Sequence, residues 1–450
     1  MATTTLDFAA TKAGSVRYSI VAMLFAVTMV NYADRATIAI AGPVLSKDLG
    51  LTAVQMGFVF SAFGWSYVIC QIPGGLLLDR FGSKAVYFVS IFTWSLFTIL
   101  QGTVGLLPAT YAFYSLFLLR LMVGLAESPS FPANARICAA WFPASERGTA
   151  CAIFNSAQYF ATVLFAPIMG WITQMMGWPY VFYFMGVLGM LVSFIWLKVL
   201  YSPDKHPRIG APELDYIERG GGLVRMDTQA GGATEKAEHN IHETIHHLKQ
   251  LVTNRTMAGI YVGQYCINTI TYFFITWFPV YLVQQRGMSI LNAGIVASIP
   301  AICGFLGGVL GGVISDFMLR RGFSLTMSRK TPIVCGLLMS TAMVICDYVD
   351  VQWLIIVIMA LAFFGKGLGA LGWAVLSDAC PREIAGLSGG LFNMFGNISS
   401  ITTPIVIGYI IQTTGSFDGA LVFVGINAVL AVLSYLVIVG EIKRLELKAI

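Results

Sequence analysis

Apolar runs of about 20 residues, the length of helix that crosses the hydrocarbon of a bilayer, recur along the whole chain. A first set lies at roughly 17–41, 54–78, 85–105, 110–133, 149–173 and 178–200, and a second at roughly 256–283, 291–318, 331–348, 352–377, 386–412 and 418–440. The pattern predicts an all-α membrane protein of twelve transmembrane helices in two six-helix bundles. Tight turns such as Gly177-Trp178-Pro179 separate helices within a set. One long polar stretch, 201–254, divides the sets, so the expected units are an N-terminal bundle (1–200), a linker (201–254) and a C-terminal bundle (255–450). Within the linker, EHNIHETIHHLKQL predicts a short amphipathic helix lying at the membrane surface. His242 and His246 stand at i,i+4 spacing there, which suits a metal, but no Cys or paired carboxylate completes a site. The reading is therefore a solvated linker with no metal.

Composition places the chain in lipid. Hydrophobic residues make up 57% and charged residues 11%, against about 25% charged in soluble domains. Of the 27 Lys and Arg, only Lys47 and Arg286 fall on the side opposite the termini, and Arg35, Arg120 and Lys366 fall inside spans. The rest, including Arg17, Arg80, Lys84, Arg147, Arg320, Arg329 and Lys443, share the terminal side. The positive-inside rule then predicts that both termini are cytoplasmic. The net charge of +5 is no argument for nucleic acid, because the basic residues serve orientation. The eight cysteines form no CxxC pair and read as reduced packing residues. The first apolar run is followed by Asp34 and Arg35 and not by a small-residue cleavage site, so it is expected to be a spanning helix and not a cleaved signal.

The halves repeat. At a shift of 237 residues Gly57, Ser61, Gly74, Gly75 and Asp79 meet Gly294, Ser298, Gly311, Gly312 and Asp316. At a shift of 238, Pro143, Gly148, Phe154 and Asn155 meet Pro381, Gly386, Phe392 and Asn393. Parallel repeats of six helices imply a pseudo-two-fold axis along the membrane normal, a site near the midplane between the halves, and access that alternates by rocking. The loop GGLLLDRFGSK and its partner GGVISDFMLRRG read as gates. Gly75 and Gly312 are expected to permit close helix approach. Asp79 and Asp316 are expected to accept from a helix end or an arginine, with Arg80 in the same motif. This loop pair resembles the signature of the major facilitator superfamily.

Charges inside spans are costly, about 2.5–3.5 kcal/mol each at a helix centre. The first helix carries Asp34 and Arg35, the fourth Arg120 and Glu127, and the tenth Lys366. Three cations against two anions leave one cation over, and a cavity with surplus positive charge attracts anions. Asn31, Tyr32 and Arg35 share a helix face, and Asp34 points about 100° away, able to meet the fourth helix while Arg35 faces a cavity. Arg35 is assigned a bidentate grip on a substrate carboxylate. Asp34 and Glu127 are the candidate proton carriers. Desolvation favours a protonated acid and a nearby guanidinium favours the carboxylate, so Arg120 can switch either one as the halves rock. Tyr67, Gln158, Gln264, Asn268, Trp373 and Asn393 supply polar and aromatic groups around these charges and suit a polyhydroxylated substrate. Lys366 is read as a second anion grip, the bland alternative being that it snorkels or pairs with Glu127.

The runs NYADRATIAIAG, ESPSFPANARICAAWFP, ERGTACAIFNSAQYF and ALAFFGKGLGALGW resemble the anion:cation symporter branch of that superfamily, and within it the bacterial hexuronate and aldarate transporters. The resemblance covers essentially the whole chain. It implies proton-driven import of a sugar-acid anion, most specifically the diacids glucarate and galactarate, across the bacterial inner membrane. No cofactor is implied beyond the coupling proton, and a monomer suffices. By resemblance the substrate arginine falls on Arg35, the proton-coupling acids on Asp34 and Glu127, their partner on Arg120, and sugar contacts on Tyr32, Tyr67, Gln158, Trp373 and Asn393. Other organic anions, such as a hexonate, hexuronate, tartrate or phthalate, stay open. Drug efflux fits poorly with a charged cavity. A sensor would want a larger domain than 201–254, and a membrane enzyme would want a nucleophile–base set or metal ligands, yet no His lies in any span.

Overall fold

A computed structural model describes residues 14–225, 241–381 and 384–446. Among them are twelve helices long and apolar enough to cross a membrane. In chain order they are α1 Val16–Asp48, α2 Ala53–Phe81, α3 Ser83–Leu106, α4 Thr110–Trp141, α5 Ala144–Met176 and α6 Trp178–Val199, then α7 Arg255–Gln284, α8 Ile290–Arg320, α9 Leu325–Tyr348, α10 Gln352–Ala379, α11 Gly386–Thr414 and α12 Asp418–Ile438. No strand occurs among the described residues. The order and number are those expected from the apolar runs. Several helices run past the apolar segment because polar residues cap them beyond it. Thr52 and Gln55 form a reciprocal capping box at the start of α2, and Asn254, Ser289 and Ser324 accept from the third backbone N–H of α7, α8 and α9.

Two spans are broken where the sequence placed charge. The first segment of α4 ends at Glu127 and the second restarts at Ser130, with Pro129, which has no N–H to donate, at the joint. In α10 the first segment ends at Leu368 and the second starts at Gly372, so Lys366 sits in the last turn before the break. A π-turn, Phe273–Trp277, interrupts α7 at similar depth.

The halves meet on the side opposite the termini. A Cβ on Gly57 would stand 2.6 Å from the Pro404 carbonyl oxygen, and one on Gly408 2.7 Å from that of Ala53, so α2 and α11 touch backbone to backbone. The other helix pair does the same: Gly170 lies against Ile290 and Gly294 against Ala166, between α5 and α8. The Trp277 indole donates to the Pro404 carbonyl and packs edge-on against Phe60 at 5.1 Å. Contacts between the halves reach to mid-helix, at Tyr159–Phe305 and Gln71–Asn393. Nearer the termini, the Cβ positions of Gly75, Gly148, Gly312 and Gly386 have no atom within 4 Å. Among the described residues the named contacts between the halves lie on the far side and at mid-helix, and these four glycines nearer the termini face open space.

The linker carries a helix where one was expected, over Ile241–Thr253, but packs on the bundles more closely than a solvated linker would. Helix Ala211–Arg219 docks on the N-terminal half, and its Glu213 is fully buried. That carboxylate accepts from the backbone N–H groups of Val16 and Arg17 at 3.2 and 3.1 Å and from the Arg17 guanidinium at 3.3 Å. Glu213 thereby caps the start of α1, a helix whose own flanking Ser15 makes no cap bond. Gly220 accepts from Ala144, and Leu223 donates to Ala139, closing the strap over the α4–α5 turn. A second helix, Ile241–Thr253, lays Leu248 and Leu251 on the C-terminal core. The side chain of His242 lies outside the described ones, and no cluster of three or more metal-ligating residues occurs among the described residues.

Candidate substrate and coupling site

Arg35 and Glu127 form the centre of the site. The Arg35 Nε donates to Glu127 Oε2 at 2.8 Å, and both side chains are buried, Glu127 completely. The guanidinium carbon lies 4.9, 4.5 and 4.8 Å from the ring centres of Tyr32, Phe63 and Tyr67. An aromatic cage of this kind replaces part of the hydration that burial removes from a cation. Phe63 is shared: the Arg120 guanidinium lies 5.6 Å from the same ring. Asp34 is buried too, in the field of Arg120 and Arg35.

This pairing corrects the sequence reading in one respect. Arg35 was expected to face a cavity while Asp34 turned to α4. Arg35 itself turns to α4 and takes Glu127, and so Lys366 does not pair with Glu127. Arg120 and Glu127 share the unbroken first segment of α4, at whose end the Glu127 carboxylate meets α1. The site remains incompletely bonded. Arg35 Nη2, Glu127 Oε1, Asp34 Oδ2, Arg120 Nε and both amide atoms of Asn31 are buried with no hydrogen-bond partner among the described residues. Unpaired polar atoms in such number are uncommon in a folded interior, and they leave this cluster with hydrogen-bonding capacity to spare.

A cavity of about 50 Å³ lies beside this cluster between the two halves. Tyr32, Gln158 and Lys366 line it, bringing together three of the residues singled out from sequence, and Thr162, Thr271 and Tyr159 join them. Tyr32 connects the two regions, since its ring touches Arg35 and also lines the cavity. Asn393 belongs to a neighbouring polar chain: it accepts from Asn397 and donates to Gln71 across the halves at 3.0 Å, and Asn397 accepts from the Tyr272 hydroxyl at 2.8 Å. Tyr272, like Tyr32 and Tyr67, lies within electrostatic reach of the Arg35 guanidinium. Gln71, Tyr272 and Asn397 were not anticipated. Their only signal was a polar group inside an apolar run.

Other expected contacts are placed elsewhere. Gln264 donates to Asn268 at 3.2 Å, and the two pack against Gly372 and Gly396 of α10 and α11. Trp373 is 55% exposed and stacks edge-on against Phe392 at 4.8 Å, outside the cavity lining. In the gating loops Asp79 pairs with Arg136, and Asp316 with Arg329 at 3.6 Å, which also holds Asp378 at 2.8 Å. Arg80 lies on its neighbour Phe81 at 5.3 Å. The glycine expectation is wrong by one residue. Gly75 and Gly312 face open space, and the close approach belongs to Gly74, where a Cβ would stand 3.2 Å from Pro129, and to Gly311, where one would meet the Leu368 carbonyl.

Residues 24–328 match the Major Facilitator Superfamily. The chain belongs to that superfamily. It is a multi-pass membrane protein of a family of transporters, not of enzymes. Among curated relatives, it is 64% identical over 439 residues to the "Probable galactarate/D-glucarate transporter GudP" of Escherichia coli (strain K12), covering 98% of this chain and 97% of the relative. It is 41% identical over 436 residues, 97% and 98% of the two chains, to the "D-galactonate transporter" of Escherichia coli O6:H1. Among solved structures, a bacterial homolog of the human lysosomal transporter Spinster, inward-facing and occupied, superposes with a TM-score of 0.71 at 16% identity, over 94% of this chain and 97% of that one, a likeness of fold.

Proposed function

We propose that the protein is a proton-coupled symporter that imports sugar-acid anions, the diacids D-glucarate and galactarate foremost, by alternating access across the bacterial inner membrane. The observation that carries the reading is the buried Arg35–Glu127 pair in its aromatic cage, next to a cavity lined by Tyr32, Gln158 and Lys366. Relatives named for galactarate and D-glucarate support the substrate class. With both termini cytoplasmic, as the lysine and arginine distribution supports, the conformation closed on the far side is inward-facing.

Charge balance supplies the coupling. Arg35 and Glu127 neutralise one another while the site is empty of substrate. A proton on Glu127 frees the Arg35 Nε, and a substrate carboxylate then takes the guanidinium's fork. Proton and carboxylate enter together and leave the buried charge unchanged, which avoids the several kcal/mol that a lone buried ion costs. Asp34, beside Arg120, is the second proton carrier. The coupling ion is the proton, and no other cofactor is needed. Gln158, Asn393, Tyr67 and, in the open state, Trp373, Gln264 and Asn268 answer the substrate hydroxyls. The Asp79–Arg136 and Asp316–Arg329 pairs hold one gate state and part in the other.

A second reading has its own support: the relative named for D-galactonate favours a hexonate or another organic anion as substrate. Growth of a strain lacking other permeases on galactarate, D-glucarate or D-galactonate as sole carbon source separates the two. Growth restored on both diacids supports the first reading. Growth on galactonate alone replaces it with the second.

A further inference from the structure

Lys366 stands apart from the other buried charges. Arg35 has Glu127, and Arg120 lies in the field of Asp34 and Glu127. Lys366 is 6% exposed, and among the described residues it makes neither an ion pair nor a hydrogen bond. The rings of Phe363 and Tyr159 lie 5.2 and 5.9 Å from its ammonium. Lys366 sits in the last turn of its helix segment, whose end carbonyls favour its charge but amount to only about half a counter-charge. The head group borders the same cavity as Tyr32 and Gln158.

Its place in the repeat is informative. The shift of 238 that aligns Asn155 with Asn393 sets Glu127 against Gly365, one residue from Lys366, and both lie just before a helix break. The two positions differ by one residue, about 100° around a helix, but each half places a charge just before a break, a carboxylate in the first and a cation in the second. The N-terminal half is already balanced, with Asp34 and Glu127 against Arg35 and Arg120.

We infer that Lys366 holds the second carboxylate of a dicarboxylate whose first carboxylate is taken by Arg35, so that the cavity selects diacids over monoacids. This rests on the reading that a sugar acid occupies the cavity. A six-carbon diacid spans about 7 Å between its ends at ordinary bond lengths, and Tyr32, whose ring touches Arg35 and lines the cavity that Lys366 borders, links the two cations. A monoacid of equal length ends in a hydroxyl and leaves the buried ammonium without a counter-charge, which is selection by uncompensated charge. Bridging the two halves also makes the diacid itself a tie between them as they close.

The test is competition binding to purified protein in detergent, read as ligand-induced thermal stabilisation and so independent of transport. D-glucarate and galactarate are compared with D-gluconate and D-galactonate, which replace one carboxylate by a hydroxymethyl group. Wild type is expected to prefer the diacids. Lys366→Gln is expected to cut the diacid-to-monoacid affinity ratio about tenfold or more, the usual weight of a charge-assisted contact, while Lys366→Arg keeps the preference. A variant-free arm uses the mono-methyl ester of glucarate on wild type, expected to bind about tenfold or more weaker than glucarate by the same contact. A Lys366→Gln variant that weakens both classes equally, or keeps its preference, overturns the inference, as does an ester that binds like the diacid. Wild type that binds neither class overturns the sugar-acid reading and this inference with it. Wild type that binds both, with Lys366→Gln unchanged, overturns this inference alone.

Discussion

Arg35 and Glu127, 92 residues apart on α1 and α4, are joined by a 2.8 Å hydrogen bond in a place where Glu127 has no exposed surface. The pair is too expensive to be packing alone, because apolar residues of similar volume often hold a bundle as well or better. Arg35→Lys keeps the charge and loses the fork that matches a carboxylate. Its substrate affinity is expected to fall about 10- to 100-fold, while its melting temperature in detergent stays near that of wild type. Equal affinity in Arg35→Lys would show that no planar fork is needed.

Glu127→Gln mimics the protonated acid permanently and leaves Arg35 free for substrate. The expected outcome is a split: exchange of labelled for unlabelled substrate across proteoliposomes persists, and accumulation driven by a pH gradient is lost. A variant that still accumulates substrate under a gradient assigns coupling to Asp34 alone.

Closure of the far side depends on glycines that let backbone meet backbone. A Cβ on Gly57 would stand 2.6 Å from the Pro404 oxygen, and one on Gly294 2.5 Å from that of Ala166. Both contacts are to backbone, which has little room to give. Gly57→Val is therefore expected to disfavour this conformation. A cysteine at Thr162, in the cavity lining, should then react faster with a membrane-impermeant maleimide applied to the far side. No change in rate would mean that the α2–α11 contact is not the seal.

Glu213 predicts a purely structural effect. Glu213→Gln removes the negative charge that caps α1 and faces Arg17, although Glu146 still holds Arg17 at 3.0 Å. The expected loss is about 2–3 kcal/mol, within the range for hydrogen bonds to charged groups, seen as a lower melting temperature with the diacid-to-monoacid ratio unchanged. A shift in that ratio would tie the strap to the site.

Much of this architecture is legible in the chain because a membrane reduces the problem to one dimension. Hydropathy gives twelve spans, and the repeat gives two halves. Five intramembrane charges stand out because each costs so much to insert. Partners were harder to read. Helical spacing fixes which residues share a face of one helix, as with Asn31, Tyr32 and Arg35, but not how far one helix is rotated or shifted against another. The Arg35–Glu127 pair depends on how α1 is rotated and shifted against α4. The one-residue error at Gly75 has the same origin: the two neighbouring glycines face about 100° apart, and only packing tells that Gly74 faces α4. Glu213 left no trace, because a carboxylate on a nine-residue helix looks like surface until the fold lays it over the start of α1.

If a proton and a carboxylate exchange places at the Arg35–Glu127 pair, substrate entry must carry protons with it. D-glucarate is added to lightly buffered proteoliposomes carrying a pH indicator in the outside medium, with no gradient imposed. Wild type is predicted to make the medium more alkaline as labelled glucarate enters, and Glu127→Gln to lose that signal. Entry of labelled glucarate into wild-type vesicles with no change in the medium's pH would contradict the account.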